Sequence, residues 1–412
     1  MRYTSITATI IFAFAAIAVT CHARTVGATE YQGSLRPYEA PSCVAAYPDS
    51  LTPIMINHLG RHGSRYPAGS YSAVTMRKAL HRADSLGTIT PLGRRFARVI
   101  DEVIARSDGR WGALDSIGMA EHRGIARRLA TRFPMLVKKG RATVRATYSP
   151  RAIMSMYSFT HELSQCNNTI EIETHSGHSN DAVLYPYTNN KAYDKFNKQR
   201  PWKATYDHYV DSVAPNTVTR LLGEGYKASE SELKQLSIIE YYNFANMEAM
   251  GMPNDYEPYI TLDEYRRLWS CFNLRECFIY TGTSFSTVPD DLARPLLRDF
   301  ITTTDDVLAG RLNATLVLRF AHCETIMPLL GLMGLPGCRA TGNDWGHLYD
   351  RWQNYYSIPM AANLQMILFK GPGGTVYVRF DLNEHPVNLI EGDARLYLPW
   401  NEARRHLQAL LK

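Results

Sequence analysis

The sequence predicts an α/β fold, in which a mixed sheet is flanked by helices and interrupted by a mainly α-helical insertion cap. Three observations predict it. Strand-length apolar runs alternate with amphipathic segments in the first part of the chain, residues 184–300 are rich in Tyr, Asn, Lys and Glu, and strand patterns return after residue 314. Alternation of this kind implies a sheet covered by helices, so a helical stretch between its two parts is expected to be an insertion.

The first predicted strand, 54–59, is a mostly apolar run that ends in Gly60 and leads directly to Arg61 and His62. Ligands of open α/β sheets bind at the carboxyl ends of strands, which makes Arg61 and His62 candidate site residues. Three helices are predicted next because apolar residues recur there at helical spacing, over residues 72–85, 91–105 and 117–133.

The later strands carry candidate residues in the same way. The strand predicted at 144–149 ends in a proline turn before Arg151, and the strand at 315–320 precedes His322 and Glu324. A helix is expected at 230–249, and strands are expected at 365–370 and 375–382, with a hairpin turn between these two. The predicted domains are therefore an α/β domain formed by residues 24–183 and 301–412, and a helical cap formed by residues 184–300.

The amino terminus predicts export. Arg2 precedes an apolar stretch over residues 6–20, so residues 1–23 resemble a secretory signal peptide and the mature protein is expected to be secreted or periplasmic. An uncleaved anchor and a lipoprotein acylated at Cys21 remain alternatives. Six cysteines follow the signal, which permits disulfides in an exported chain, and the short spacing of Cys271 and Cys277 makes them the preferred pair.

Charge and cysteine spacing limit the class of partner. The net charge of +6 arises from 45 basic and 39 acidic residues that are scattered along the chain, so nucleic acid is not an expected partner. A locally basic pocket for a small polyanion is compatible with this balance. No CxxC pair or histidine cluster indicates a metal site. We expect no cofactor and no stable protein partner.

The segment from Arg61 to Pro67 contains most of the parts that phosphoryl transfer needs. That chemistry requires a nucleophile in line with the leaving oxygen, cations around the other oxygens and an acid for the departing alcohol. His62 is the candidate nucleophile, and Arg61 and Arg65 flank it with guanidinium groups that match phosphate oxygens. Gly63 is expected to let the backbone approach a bound group.

This segment matches the RHGxRxP signature of the histidine acid phosphatases. Residues 114–118 with His122, residues 149–151 and residues 321–325 also resemble stretches of that family. The resemblance implies a phosphoglycerate mutase-like fold and a phosphohistidine formed on His62. It further implies a phosphate-binding set and a proton donor for the leaving oxygen: Arg61, Arg65, Arg151 and His322 bind the phosphate, and Glu324 donates the proton.

Within the family, the residues His322-Cys323-Glu324, which follow the strand predicted at 315–320, indicate which group the chain resembles more. Family phytases and acid phosphatases commonly carry His-Asp here, whereas multiple inositol polyphosphate phosphatases carry His-Ala-Glu, so the chain is nearer to the latter. The implied substrate is an inositol polyphosphate such as phytate. The alternatives are a broad-specificity acid phosphatase or sugar-phosphate phosphatase, and a non-catalytic inositol polyphosphate-binding protein. Without the family, Glu324 could instead be an acid that favours the dipole of the following helix.

Overall fold

The structure is a computed structural model that describes residues 27–188, 190–340 and 342–412. The predicted signal peptide, with Cys21, lies outside the described residues. The strands are β1 Thr52–Arg61, β2 Arg141–Ala146, β3 Glu171–Ser176, β4 Leu316–Ala321, β5 Asn363–Lys370, β6 Val376–Leu382, β7 His385–Val387 and β8 Leu398–Pro399. Short 3-10 segments are found at Glu30–Leu35, His178–Asn180, Glu248–Met250, Trp345–Asp350 and Pro372–Gly374.

The α-helices lie before, between and after these strands. They are α1 Tyr71–Ser85, α2 Pro91–Ser107, α3 Ser116–Arg132, α4 Pro134–Val137, α5 Pro150–Cys166, α6 Asp181–Leu184, α7 Lys191–Gln199, α8 Lys203–Val213, α9 Thr219–Leu222, α10 Glu230–Ala245, α11 Leu262–Tyr280, α12 Val288–Leu308, α13 Cys323–Met333, α14 Asn354–Ser357 and α15 Trp400–Ala409. No helix within the described ranges is long and apolar enough to cross a membrane.

The sheet is mixed, as predicted, with strand order β3-β2-β4-β1-β5-β6-β7 and β8 beside β6. Strands β3, β2, β4 and β1 run parallel, and β5 continues the sheet antiparallel to β1. Because β1 and β4 are parallel neighbours, their carboxyl ends lie side by side at one edge of the sheet. The residues that follow these two strands are therefore brought together although they are far apart in sequence.

Helices cover both faces of the sheet. One face packs against α3, α4 and α5, where Ile125 and Phe159 meet Val144 and Leu318 of the strands. The other face belongs to a larger apolar core that contains residues of α10 to α13 and extends into the helical segment. The regular elements described between residues 184 and 300 are helices, but α12 runs across the predicted boundary at residue 300. The division into two domains stays a prediction.

The expected disulfide between Cys271 and Cys277 is wrong. Both residues lie on helix α11, and both thiols are free and buried. Six residues along a helix span about 9 Å, which exceeds the Cα separation of about 7 Å that a disulfide tolerates. The predicted pair requires a loop between the two residues, whereas the interval is helical. The other four cysteines of the described chain are also free.

Glu240 of α10 is a carboxyl in the interior of the helical segment, with 0% of its surface exposed. Its Oε2 accepts a hydrogen bond of 2.6 Å from Thr217 Oγ1, while Oε1 has no hydrogen-bond partner among the described residues. Burial raises the pKa of Glu240 to about 8, and the Thr217 hydrogen bond and the charge of Arg220 lower it by less. The unfolded chain ionises this group near pH 4.3, at about the value of an ordinary glutamate.

We expect the free energy of unfolding to fall less with rising pH in Glu240→Gln than in the wild type. A raised pKa in the folded state contributes stability that is complete below the unfolded pKa and is lost as pH rises through about 8. Each pKa unit is about 1.4 kcal/mol, so the wild type loses several kcal/mol that the glutamine variant, which cannot ionise, keeps. Urea unfolding from mildly acidic to alkaline pH measures this difference. Glu230→Gln, exposed on the same helix, is the control, and equal pH dependence in all three proteins would contradict the prediction.

Candidate active site

His62 follows β1 directly and is fixed by backbone contacts on both sides. Its N–H donates to Ala321 O at 2.9 Å, and its carbonyl oxygen accepts from Ala361 N–H at 3.0 Å. The ring atom Nδ1 lies 2.9 Å from Gly63 O. A carbonyl oxygen can only accept, so Nδ1 carries the proton and the lone pair is left on Nε2. The side chain is buried, with 2% of its surface exposed.

The environment of His62 keeps its ring neutral. Burial lowers the pKa of His62 well below its ordinary value, and the positive charges of Arg61, Arg65 and Arg151 lower it further. Neutral imidazole is the form that can attack phosphorus. The nucleophilic form of His62 is therefore present across the neutral and the mildly acidic range.

Arg61 is almost completely buried, with 1% of its surface exposed, and is anchored by backbone oxygens rather than by an acid. Its Nη1 donates to Ser34 O at 2.5 Å and to Ile358 O at 2.7 Å. Ser34 belongs to the 3-10 segment near the amino terminus, and its Oγ donates to Glu276 Oε1 at 2.8 Å. A segment distant in sequence thus holds this guanidinium group in place.

Arg65 and Arg151 bring two further guanidinium groups to the same site. Arg65 Nη1 donates to Tyr66 O at 2.9 Å, and Arg151 lies in the first turn of α5. Burial lowers the pKa of Arg65 to about 10, and the charges of Arg61 and Arg151 lower it as well. Three like charges in one small volume are unfavourable unless an anion joins them.

The three arginines each have a buried donor without a partner among the described residues. The Nε–H groups of Arg61, Arg65 and Arg151 are buried and have no hydrogen-bond partner in the described part of the chain. None of the three side chains forms an ion pair with a described residue. Buried donors normally have partners, and a phosphate oxygen is the acceptor that a guanidinium group matches best. The set has the donors and the charge of an oxyanion site.

His322 follows β4 and faces His62, with ring centroids 5.5 Å apart. Arg151 Nη2 lies 3.3 Å from His322 Nδ1, and because an arginine only donates, Nδ1 accepts and Nε2 carries the proton. Nε2 then donates to Thr147 Oγ1 at 3.0 Å, at the end of β2. Burial lowers the pKa of His322 to about 3, while the charge of Glu324 opposes the shift.

Glu324 lies in the first turn of α13 and is partly exposed. Its Oε2 accepts a hydrogen bond of 2.9 Å from Cys323 Sγ. Burial raises the pKa of Glu324, but His322, the Cys323 thiol and Arg61 together lower it below the ordinary glutamate value. The carboxyl group is therefore ionised in the free site at neutral pH. The structure brings all six predicted site residues together.

Glu121 of α3 is a partly buried acid near the site and was not among the predicted site residues. Its carboxylate accepts from Ser64 N at 2.7 Å, from Ser64 Oγ at 2.6 Å and from Tyr38 N at 2.8 Å, so it holds the loop after His62. Burial raises its pKa to about 7. Its position three residues after Gly118, on a helix already compared with the family, was the only available signal.

Gly63 lies where the site loop and helix α3 approach each other closely. A Cβ on Gly63 would come within 2.5 Å of the backbone of Gly118 on α3. The glycine is therefore required by this contact, and its expected role beside a bound group stays a prediction. This contact and the Glu121 hydrogen bonds together fix the loop that carries His62.

The part of the chain from residue 54 to residue 383 matches a family model described as histidine phosphatase superfamily (branch 2). The matched range contains all six candidate residues. A comparison with curated protein sequences finds no match. Among the described residues, no group of three His, Cys, Asp or Glu side chains could hold a metal ion.

Solved structures with a similar fold include three enzymes. Multiple inositol polyphosphate phosphatase from Bifidobacterium longum, in complex with inositol hexasulfate, has a TM-score of 0.76 and 19% identity over 93% of this chain and 98% of that chain. Phytase from D. castellii has a TM-score of 0.69 and 14% identity over 93% and 85% of the two chains. Hafnia alvei phytase has a TM-score of 0.52 and 12% identity over 89% and 98%. At these identities the similarity establishes the fold.

Proposed function

The chain belongs to branch 2 of the histidine phosphatase superfamily and is a phosphatase, and on this basis we propose that it hydrolyses inositol polyphosphates through a phosphohistidine on His62. The observation that carries the proposal is the unprotonated Nε2 of His62 beside three arginines that have no acidic partner among the described residues. Such a site combines a nucleophile with an oxyanion cradle, which is what phosphoryl transfer requires.

The first step of the proposed reaction transfers the phosphoryl group to the enzyme. The lone pair of His62 Nε2 forms the N–P bond while the bond from phosphorus to the ester oxygen breaks, and Glu324 gives its proton to the departing oxygen. The Nδ1–H of His62 keeps donating to Gly63 O, which stabilises the positive charge on the phosphorylated ring. Arg61, Arg65 and Arg151 bind the phosphoryl oxygens throughout the step.

The second step returns the enzyme to its starting state. The Glu324 carboxylate takes a proton from water, the water oxygen bonds to phosphorus, and the N–P bond breaks. Neutral His62, protonated Glu324 and inorganic phosphate result, so the proton lent in the first step is recovered. We propose that the arginines and histidines supply the stabilising charge without a metal ion.

We propose that substrate binding changes which protons Glu324 and His322 carry. Glu324 is ionised in the free site at neutral pH, and a polyanionic ester beside it raises its pKa toward the protonated form that donates. His322 accepts from Arg151 through Nδ1, so it donates to a phosphate oxygen only after gaining a proton or exchanging tautomers. Protonation of Glu324 and protonation of His322 are both favoured by acid, so we expect turnover to be faster at mildly acidic pH than at alkaline pH.

An inositol polyphosphate is favoured as substrate by a further cation at the loop that borders the site. Arg110 is exposed, donates from Nη1 to Tyr66 Oη at 2.8 Å and lies 4.5 Å from the Tyr66 ring centroid. Its loop pairs with the site loop through Gly112 N–H and Pro67 O at 2.8 Å. A Cβ on Gly112 would be 3.7 Å from Arg151 Nη1. Arg110 has no ion-pair partner within the described ranges and is available to a second phosphate.

We expect Arg110→Ala to lower kcat/KM for inositol hexakisphosphate roughly fivefold, as the loss of an exposed charge contact of about 1 kcal/mol implies. The value for p-nitrophenyl phosphate should stay nearly unchanged, because its one phosphate is held by Arg61, Arg65 and Arg151. Arg82→Ala is the matched control, since Arg82 also lies over a tyrosine ring, 5.0 Å from the Tyr226 centroid. Equal losses on both substrates in the Arg110 variant would contradict the assignment.

The test of the function is phosphate release from inositol hexakisphosphate by the wild-type protein in the presence of a metal chelator. Release that the chelator does not affect supports the proposal. Cleavage of p-nitrophenyl phosphate alone would favour a broad-specificity acid phosphatase or sugar-phosphate phosphatase. Failure to trap labelled phosphate on the protein would favour a protein that only binds inositol polyphosphates.

We propose that residues 184–300 act as a cap over a catalytic domain formed by residues 24–183 and 301–412. Three tyrosines of this helical segment support the proposal: Tyr187, Tyr193 and Tyr280. Burial raises the pKa of each tyrosine, and the negative charge of Glu324 raises it further. The ring of Tyr187 also lies 4.3 Å from that of Tyr185, which lies 5.0 Å from the ring of His322, so this segment is expected to contribute to the walls of the site.

We propose that residues 1–23 direct export and that the mature protein is secreted or periplasmic. Arg2 followed by the apolar stretch 6–20 supports this assignment. The mass of the intact exported protein tests it. A chain that begins at Arg24 indicates a free protein, and one that begins at an acylated Cys21 indicates a lipid anchor.

A further inference from the structure

Cys323 is a thiol in direct contact with the carboxyl group of Glu324. Its Sγ donates to Glu324 Oε2 at 2.9 Å, and the two residues begin helix α13. Burial raises the pKa of the Cys323 thiol, and the charge of Glu324 raises it further, so the thiol stays protonated. It is thus a permanent hydrogen-bond donor to the acid.

We propose that Cys323 is a positioning residue whose S–H···O hydrogen bond holds the Glu324 carboxylate and sets the pH range in which Glu324 donates its proton. This inference rests on the proposed function. A donor to a carboxylate favours the ionised form over the protonated form. An alanine at position 323 would offer no such hydrogen bond, so Glu324 beside it would be a weaker acid.

Other titratable groups also face Glu324, and they lie on several packed elements. They are His322 before α13, Arg61 at the end of β1, Arg65 of the site loop, Glu276 and Tyr280 of α11, Tyr185 and Tyr187 after α6, and Tyr193 of α7. Substitution at Cys323 leaves each of these groups in place. A difference between Cys323 variants therefore reports the thiol hydrogen bond.

Two substitutions separate the hydrogen bond from packing. Cys323→Ala removes the donor and leaves a smaller apolar side chain, whereas Cys323→Ser removes the sulfur but keeps a donor of similar reach. If Cys323 only fills space, the effect of each substitution follows the volume of the new side chain. If the Cys323 hydrogen bond sets the pKa of Glu324, the serine variant has the pH dependence of the wild type and the alanine variant has a different one.

The experiment is the pH profile of kcat/KM for the wild type and both variants on an alkyl phosphate, whose leaving group needs the acid. We expect the alkaline limb of the alanine variant to move upward by about half a pH unit to one pH unit, as loss of a weak hydrogen bond to a charged group implies. The serine variant should stay close to the wild type. The inference would be overturned if the alkaline limbs of all three profiles coincide. It would also be overturned if the limb of the serine variant moves as far as that of the alanine variant.

A second measurement is independent of turnover. The infrared S–H stretching band that disappears in Cys323→Ala is expected to shift with pH as Glu324 titrates, because donation to a carboxylate weakens the S–H bond more than donation to the neutral acid. A band that is constant with pH in the folded protein would overturn the inference. Absence of wild-type turnover, by contrast, overturns the proposed function and leaves the infrared result to decide the hydrogen bond.

Discussion

Replacement of His62 by alanine is expected to abolish turnover on every phosphomonoester, with a fall in kcat on the order of 10⁴-fold or more, as for other enzymes that lose their nucleophile. The imidazole supplies the atom that bonds to phosphorus. His322 cannot replace it because its Nε2 donates to Thr147. Phosphate binding through the three arginines should survive.

The measurement combines steady-state rates with single-turnover trapping of labelled phosphate. A phosphohistidine survives alkali and is lost in acid, so the label on the wild type should show this pattern and the variant should carry no label. His81→Ala is the control, since His81 is exposed on α1 away from the site loop. Labelled phosphate on the His62 variant, or rates near those of the wild type, would show that another group is the nucleophile.

The sequence was informative where a functional residue directly follows a buried strand. The strand before His62 and the strand before His322 are mostly apolar and almost wholly buried, so their runs are easy to recognise, and the observed ends lie within two residues of the predicted ends. The end of β2 was placed three residues late, yet Arg151 still reached the site. Its position depends on the first turn of α5, which begins soon after the strand.

The elements that were missed lack a pattern that a single sequence can show. Strand β3 lies at the edge of the sheet and alternates only between exposed and half-buried residues, so it has no apolar run. Helix α5 begins at Pro150, which was interpreted as a turn. The Cys271 and Cys277 pairing was wrong for the same kind of reason, because spacing alone does not reveal that the interval is helical.

Contacts between distant segments could not be predicted from the sequence for another reason. Arg61 is held by the carbonyl oxygens of Ser34 and Ile358, one from each end of the chain. Neither oxygen has a side-chain signature, since every residue carries a carbonyl group. Glu121 was equally hidden, because its acceptor role depends on how α3 packs against the site loop. Residue identity therefore predicted the reacting groups, while tertiary packing determines how firmly they are held.

Replacement of Glu324 by glutamine is expected to slow the enzyme by an amount that depends on the leaving group. Glutamine keeps the shape of the side chain and can still accept from Cys323 Sγ, but it cannot donate an acidic proton. For an alkyl ester, whose departing oxygen is strongly basic, kcat/KM should fall by about 10² to 10⁴-fold, the usual contribution of a general acid. For p-nitrophenyl phosphate, whose leaving group is a stable anion, phosphorylation of His62 should change little.

The same variant should also lose the base that activates water, so labelled phosphoenzyme is expected to accumulate with p-nitrophenyl phosphate and to release its phosphate slowly. A burst of nitrophenol followed by a slow steady rate measures this directly. Glu240→Gln is the control, because Glu240 is a buried acid that contacts Thr217 in the helical segment instead of a leaving group. Equal losses on the two esters without a burst would mean that Glu324 binds the phosphate rather than transferring a proton.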